Sequence, residues 1–225
     1  MMRRYFVLAA AAAVLLAEEP KAVKRALEAA EVFDEVMRIK ERSIPQELMD
    51  RAECVGIVPS LKKGALIFGA KYGKGVITCR PENGEGWSGP STIRVEGGSF
   101  GLQAGGASID LVFLVMNQRG ADKLLQSRFT VGGDATAAAG PVGRSAEAQT
   151  DVQMYAEILS WSRSRGAFAG VSLTGATLRQ DENDNRLIYG KAVTPKQILR
   201  EGEKTPEAVK KLGETLSKYS SRRRP

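Results

Sequence analysis

The residues best placed to do chemistry are four lysines, two aspartates and two cysteines. Lys62 and Lys63 precede Gly64, and Lys71 and Lys74 flank a glycine-containing stretch, Tyr72-Gly-Lys-Gly75. If the two segments meet, their ammonium groups and exposed backbone N–H groups form a cradle for phosphate. Scattered surface lysines are the plainer reading. Arg144 follows Gly140-Pro-Val-Gly143, where a turn can aim its guanidinium at a phosphate or at a buried carboxylate, Asp134 or Asp110. The internal ion pair is preferred. Asp110 and Asp134 lie beside apolar or glycine-rich sequence, which suits general acid–base work or a hard cation. Structural hydrogen bonding is the better reading of both. Cys54 and Cys79 sit in strand-like contexts, and two outcomes stay open: a disulfide, or two buried thiols.

Much chemistry is excluded by composition. The 225 residues include no histidine, so Ser-His-Asp and Cys-His catalysis and the common zinc sites are absent. Tyr72-Gly-Lys-Gly75 is no P-loop, because Lys74 is not followed by Ser or Thr and no helix is expected after it. Gln180–Asn185 carries Asp181, Glu182 and Asp184 but lacks the EF-hand glycine and glutamate spacing. The sequence is read as that of a non-enzymatic protein with no cofactor, no metal and no nucleic-acid partner.

The net charge of +7 is unevenly spread. Residues 192–225 hold nine Lys/Arg against four Asp/Glu, residues 52–191 have a surplus of only two, and residues 18–51 are net acidic. The basic character is thus concentrated in the C-terminal tail, which is either simply solvated or directed at phosphate groups. The chain starts with Arg3 and Arg4, followed by an apolar run from Phe6 to Leu16. The run is short for a bilayer span and reads as a signal peptide over 1–17. An exported chain, periplasmic or extracellular, with a peripheral place at a membrane left open, is the expectation; a retained N-terminal anchor is the alternative.

The elements that must position these groups follow from periodicity. Val23, Ala26, Leu27, Ala30, Phe33 and Met37 recur at three- and four-residue spacing, which predicts an amphipathic helix over 20–42. Its polar side includes Lys24 and Arg25 and is as acidic as it is basic. Packing on a sheet is therefore favoured over lying on a membrane. Pro45 begins a second short helix ending near Ala52. A strand over Val55–Val58 is expected to stop at Pro59. Gly64–Lys71 and Gly75–Arg80 then read as two strands around a turn at Tyr72–Gly75. Ile93–Gly105 continues as strand, and Ile109–Met116 is the most apolar run after the leader, a central buried strand. Asn117 caps a helix over Gln118–Gln126. Val152–Glu157 alternates like a strand leading to Leu159–Ser162, with a helix over 146–158 as the competing reading. Phe168–Leu178 and Arg186–Tyr189 supply further strands around a polar turn at Gln180–Asn185. Thr194-Pro195 and Thr205-Pro206 each offer a cap and a proline for a C-terminal helix. Val209, Leu212 and Leu216 line one face of the last helix.

The fold class that results is α+β. A glycine-rich antiparallel β-sheet scaffold carries an N-terminal amphipathic helix and C-terminal helices. One domain over 18–203 is followed by a basic C-terminal helix and tail over 204–225. The sheet's signature is Ser164–Leu178, where Gly166, Gly170 and Gly175 punctuate apolar residues and Gly190 follows. Repeated glycine in strands points to close backbone approach or sharp bends.

Several stretches, in order, resemble the SYLF-domain family. They are Cys54-Val-Gly-Ile-Val-Pro59, Lys63-Gly64, Gly69, Gly73 and Gly75, Trp87-Ser-Gly-Pro90, and Gly101-Leu-Gln103 with Gly105. Asp110-Leu-Val112, Asn117, Gly133-Asp134, Gly140–Arg144 and Gly166–Leu173 through Gly190 continue the pattern, so the likeness spans roughly 25–200. The resemblance implies a lipid-binding domain without known catalysis. Eukaryotic members are associated with phosphoinositide membranes, and fungal ones also with actin. Carried to an exported chain, it implies contact with anionic phospholipid at a membrane surface and sets actin aside. The basic candidates for that contact are Lys24, Arg25, Lys62, Lys63, Lys71, Lys74 and Arg144. The rival reading is an interaction module of the cell envelope that binds another protein through an exposed apolar face of the last helix.

Overall fold

The computed structural model describes residues 19–39, 43–65, 68–81, 86–100, 105–143, 155–164 and 167–221. Helix α1 (Lys21–Arg38) starts after Pro20 and buries Val23, Ala26, Ala30, Phe33 and Met37, the stripe its spacing predicts. Helix α2 (Gln46–Arg51) follows Pro45. Four long strands come next: β1 (Cys54–Ala65), β2 (Phe68–Cys79), β3 (Ser91–Phe100) and β4 (Gly105–Val115). Helix α3 (Gln118–Leu124) is capped by Asn117, whose side chain accepts from the Gly120 N–H at 2.8 Å. Short strands β5 (Arg128–Thr130), β6 (Ala137–Ala139), β7 (Ile158–Ser164), β8 (Ala167–Gly170) and β9 (Thr177–Gln180) complete the sheet. Helix α4 (Glu182–Tyr189), α5 (Pro195–Leu199), a 3-10 turn (Glu207–Val209) and α6 (Lys210–Tyr219) end the fold.

The sheet runs in the order β5-β9-β3-β2-β1-β4-β7-β6, with β8 also on β7. Its pairings are antiparallel except for β6 on β7. Two connections decide its shape. Residues 131–136 join β5, at one end of the order, to β6 at the other. Residues 171–176 join β8, on the β7 side, to β9 on the opposite side. Six residues span at most about 20 Å, so the sheet must curl until its two ends approach. The Val131 N–H donates to the Ala176 carbonyl, and the Gly175 N–H donates to the Val131 carbonyl, which ties the two connections together. The segment holding Gly170 and Gly175 is therefore the seam of the curled sheet. At Gly170 a Cβ would lie 2.2 Å from the Gly140 carbonyl oxygen, so the two chains pass too closely there for any other residue.

Two cores result. Inside the curl lie Val58, Leu61, Ile77, Val95, Leu111, Phe113, Phe129, Leu173 and Leu178. On the outer face, α1, α2 and α6 cover Val55, Ile57, Val76, Val112 and Leu114. β4 sends alternate residues into both, which is why its sequence reads as unbroken apolar residues rather than alternation. Val209, Leu212 and Leu216 are buried in the outer core. The last helix thus has no exposed apolar face of the kind the interaction reading uses.

Four local expectations fail, each for a physical reason. Pro59 does not end β1: the register shifts between Val58 and Leu61, and Ser60 takes φ 54°, so Pro59 sits in a bulge where its missing N–H costs no ladder bond. Tyr72–Gly75 is not a turn: β2 runs straight through it, paired with β1 on one side and β3 on the other. Gly75 is required there because a Cβ would meet the Ile57 carbonyl oxygen at 2.3 Å. Arg186–Tyr189 is helical, since Asp181 caps α4 and Gly190 closes it in the left-handed conformation at φ 69°. Thr205 caps nothing: Pro206 is itself extended and the helical turn begins at Glu207. Residues 152–154, where strand and helix readings compete, lie outside the described residues, and β7 begins at Ile158.

Candidate functional site

The register of the first hairpin settles which lysines meet. Lys63 pairs with Lys71, and Lys62 with Tyr72. Residues directly opposite in an antiparallel pair lie on the same face about 5 Å apart, where like charges repel. Burial, and then the charge of Lys71, hold the Lys63 ammonium below its ordinary pKa of 10.5. Lys62 is exposed, as is Tyr72 at 49%. Among the described residues no carboxylate pairs with Lys62, Lys63 or Lys71. The nearest register acid, Glu96 opposite Tyr72, is held by Arg179 at 3.2 Å and lies 3.9 Å from Arg94.

The other candidates go elsewhere. Lys74 is three residues along β2, on the opposite face from Lys71, where it meets Asp181 at 2.8 Å and Asp184 at 3.0 Å. Arg25 reaches the same Asp184 oxygen at 2.8 Å. This network fastens α1 and α4 to β2. Burial works against the Lys74 charge, but the two carboxylates outweigh it and raise its pKa; Asp181 is lowered because Lys74 overcomes the opposite effect of burial. Lys24 is exposed on α1. Arg144 lies outside the described residues. Asp110 takes a different arginine: Arg163 reaches it at 2.7 Å from Nη2, while its other oxygen accepts the Ser60 N–H at 3.0 Å and braces the β1 bulge. Asp134 accepts the Thr130 N–H at 2.6 Å within its turn. Both aspartates are structural. Among the described residues no group of acids, cysteines and histidines is arranged to hold a metal.

Cys54 and Cys79 are register partners and form a disulfide that ties the bases of β1 and β2. Beside it lies a site that residue patterns did not single out. Arg80 is buried, stacked 4.1 Å from the Trp87 ring centroid, and donates to the Met49 and Ala52 carbonyls and to Ser220 Oγ at 2.6 Å. Ser220 Oγ also meets Asp50 at 2.7 Å, and Trp87 Nε1 donates to the Ser220 carbonyl at 2.9 Å. The chain's last described turn is thereby strapped to the sheet. A lone arginine after a cysteine carries no sequence signal for this, because its hydrogen-bond partners lie 28, 31 and 140 positions away.

These parts form a curled sheet clad in helices, with Lys62, Lys63 and Lys71 lacking a carboxylate partner among the described residues and Asp110, Asp134, Asp181 and Asp184 engaged in structural contacts. The chain belongs to the SYLF family. The family model Ysc84, described as "Las17-binding protein actin regulator", matches residues 96–219. LAS seventeen-binding protein 3 of Saccharomyces cerevisiae is 35% identical over 188 residues, covering 82% of this chain and 40% of that protein. Protein YSC84 of the same yeast is 34% identical over 175 residues, covering 76% of this chain and 37% of its own length. SH3 domain-containing YSC84-like protein 1 of Homo sapiens is 30% identical over 203 residues, covering 88% of this chain and 59% of the relative. The chain thus spans well under two thirds of each of these relatives. Their names are those of binding and regulatory proteins, not enzymes. The description of the family names actin, so the sequence-based reason for setting actin aside finds no support in these relatives.

Proposed function

We propose that the chain is a non-enzymatic module that holds anionic phospholipid headgroups at the end of the β1–β2 hairpin. One observation carries the reading: Lys63 and Lys71 face each other across the hairpin, Lys62 lies next to them on the opposite face of β1, and none has a carboxylate partner among the described residues. Lys74, Arg25 and Arg163, by contrast, are each held by carboxylates. A like-charged cross-strand pair weakens the sheet unless an anion binds it. Exposed Tyr72, opposite Lys62, suits a membrane interface, where its ring and hydroxyl meet different surroundings. No helix among the described residues is long and apolar enough to cross a bilayer. The contact proposed is peripheral.

Vesicle co-sedimentation tests this. Binding should require anionic lipid, weaken as salt screens the lysines, and fall in a Lys62→Ala/Lys63→Ala/Lys71→Ala variant. Equal pelleting with neutral and anionic vesicles rejects it. A second reading rests on the relatives' names: the domain binds a protein, actin or a Las17-like ligand. Filament co-sedimentation of the same variant distinguishes the two, since loss of vesicle binding with filament binding intact separates the sites.

A further inference from the structure

Alternation along the strands divides the three lysines. Gly73 faces the inside of the curl, because a Cβ there would meet Leu61 Cδ1 at 2.7 Å and Val58 Cγ1 at 2.9 Å, both in the inner core. Lys71 is two residues from Gly73 and Lys63 is its register partner, so both belong to the inner face. Lys62 and Tyr72 belong to the outer one, with Lys74. Register then sets Gly97, Lys71, Lys63 and Ala107 in one line across β3, β2, β1 and β4. Beneath that line Val95, Leu61 and Ile109 are buried in the inner core. The two lysines therefore stand at the edge of an apolar floor, between a glycine and an alanine. Gly97 has no room for a side chain: a Cβ would lie 3.2 Å from Ala176 Cα and 3.3 Å from the Gly175 carbonyl oxygen, so the seam walls that side. On the other side Ala107 is exposed, and both lysines are half-buried. The corresponding outer line is Glu96, Tyr72, Lys62 and Ser108, which already contains a carboxylate. The inner pair has none among the described residues, and the Lys63 charge is disfavoured first by burial and then by Lys71.

We propose that Lys63 and Lys71 together hold a single phosphate group on the inner face of the curl, one per chain, with Lys62 outside the site. Two ammonium groups on neighbouring strands, about 5 Å apart at their Cβ atoms, suit an anion whose oxygens point several ways and can be shared between them. The small residues at either end of the line leave the space such a group fills. The lysine stems lie along the apolar floor and carry their charges to its rim. The chemistry is that of a phosphate ester, in a lipid headgroup or in a soluble molecule, and the test separates the two. The inference rests on the headgroup reading above and narrows it from a charged surface to a site of fixed stoichiometry.

Calorimetric titration with glycerol 3-phosphate, and its competition against vesicles of mixed phosphatidylcholine and phosphatidylglycerol, test it at low salt. Expected is saturable binding of glycerol 3-phosphate at one site per chain, and release of the protein from the vesicles as that site fills. Lys63→Ala and Lys71→Ala should each weaken glycerol 3-phosphate binding by about tenfold or more, while Lys62→Ala leaves it unchanged. Neither inner variant should melt lower than wild type, since each removes a repulsion. Ala107→Phe keeps every charge but fills the space beside Lys63, and should weaken glycerol 3-phosphate binding; Ser108→Phe, on the outer face opposite Lys62, should not. If vesicles bind but glycerol 3-phosphate does not compete, or if Lys62→Ala costs as much as Lys63→Ala, the inner site is wrong and the headgroup reading stands. If glycerol 3-phosphate binds and vesicles do not, the ligand is a soluble ester and the headgroup reading falls. If neither binds, both are wrong.

Discussion

Replacing Lys71 by glutamate should strengthen the fold and weaken the function at once. Opposite Lys63, the substitution turns a repelling cross-strand pair into an attracting one. Such pairs contribute about 0.2–1 kcal/mol each way, so the swing is about 0.5–2 kcal/mol. In a domain of this size that raises the melting temperature by about 1–8 °C. Lys63 should also lose the part of its pKa depression that Lys71 causes, while the part due to burial stays. At the membrane the sign reverses. Each lysine near an anionic surface is worth about 1 kcal/mol, so exchanging an attraction for a repulsion costs about 2 kcal/mol, roughly a thirtyfold loss of affinity. Differential scanning fluorimetry and vesicle titration at one low salt concentration read the two effects. A neutral Lys71→Gln variant should fall between wild type and Lys71→Glu in both. The reasoning is refuted if Lys71→Glu melts lower than wild type, or if its vesicle affinity is unchanged.

Further expectations concern the scaffold. Lys74→Met removes a cation shared by Asp181 and Asp184 and should cost about 1–3 kcal/mol, while vesicle binding by the folded protein stays intact, because Lys74 is already neutralised by these two carboxylates. Because Asp181 is held below its ordinary 3.8, its contribution is present above that pH and disappears as pH falls through the depressed native value; acid unfolding of Lys74→Met should accordingly show a shallower slope below about pH 4. Arg80→Met leaves the Met49 and Ala52 carbonyls and Ser220 without their buried donor, and should cost about 3 kcal/mol and speed hydrogen exchange first in α6. Reducing the Cys54–Cys79 bridge, which closes a loop of sequence separation 25, should lower stability by about 3 kcal/mol in chemical denaturation.

Much of the fold was legible because its signals are local. The helical stripe of α1, the Asn117 cap and the apolar run of β4 need only their neighbours to be read. The errors share a different cause. Pro59 and Gly75 look like punctuation in one dimension, yet in the sheet they are a bulge and a point of contact with the Ile57 carbonyl, partners the sequence does not announce. Arg186–Tyr189 failed because an apolar tetrapeptide is too short to show a period, and only Asp181 and Gly190 mark it as helix. The candidate site divided in the same way. Hairpin register sets Lys63 opposite Lys71 and Lys62 opposite Tyr72, whereas spacing alone offered a cluster of all four lysines only as the lesser reading. Lys74 and Arg25 are claimed by acids more than a hundred residues away, which no local pattern reveals.

The central claim is that Lys62, Lys63 and Lys71, which lack a carboxylate partner among the described residues, bring the domain to an anionic membrane. The most direct test is to titrate phosphatidylglycerol-containing and pure phosphatidylcholine vesicles into wild type, the Lys62→Ala/Lys63→Ala/Lys71→Ala variant and, as a charge-matched control, Lys196→Ala/Lys204→Ala/Lys210→Ala. The account predicts salt-sensitive binding to the anionic vesicles by wild type and control, and a loss of roughly a hundredfold in the hairpin variant. Equal losses in both triple variants, or none in either, would contradict it.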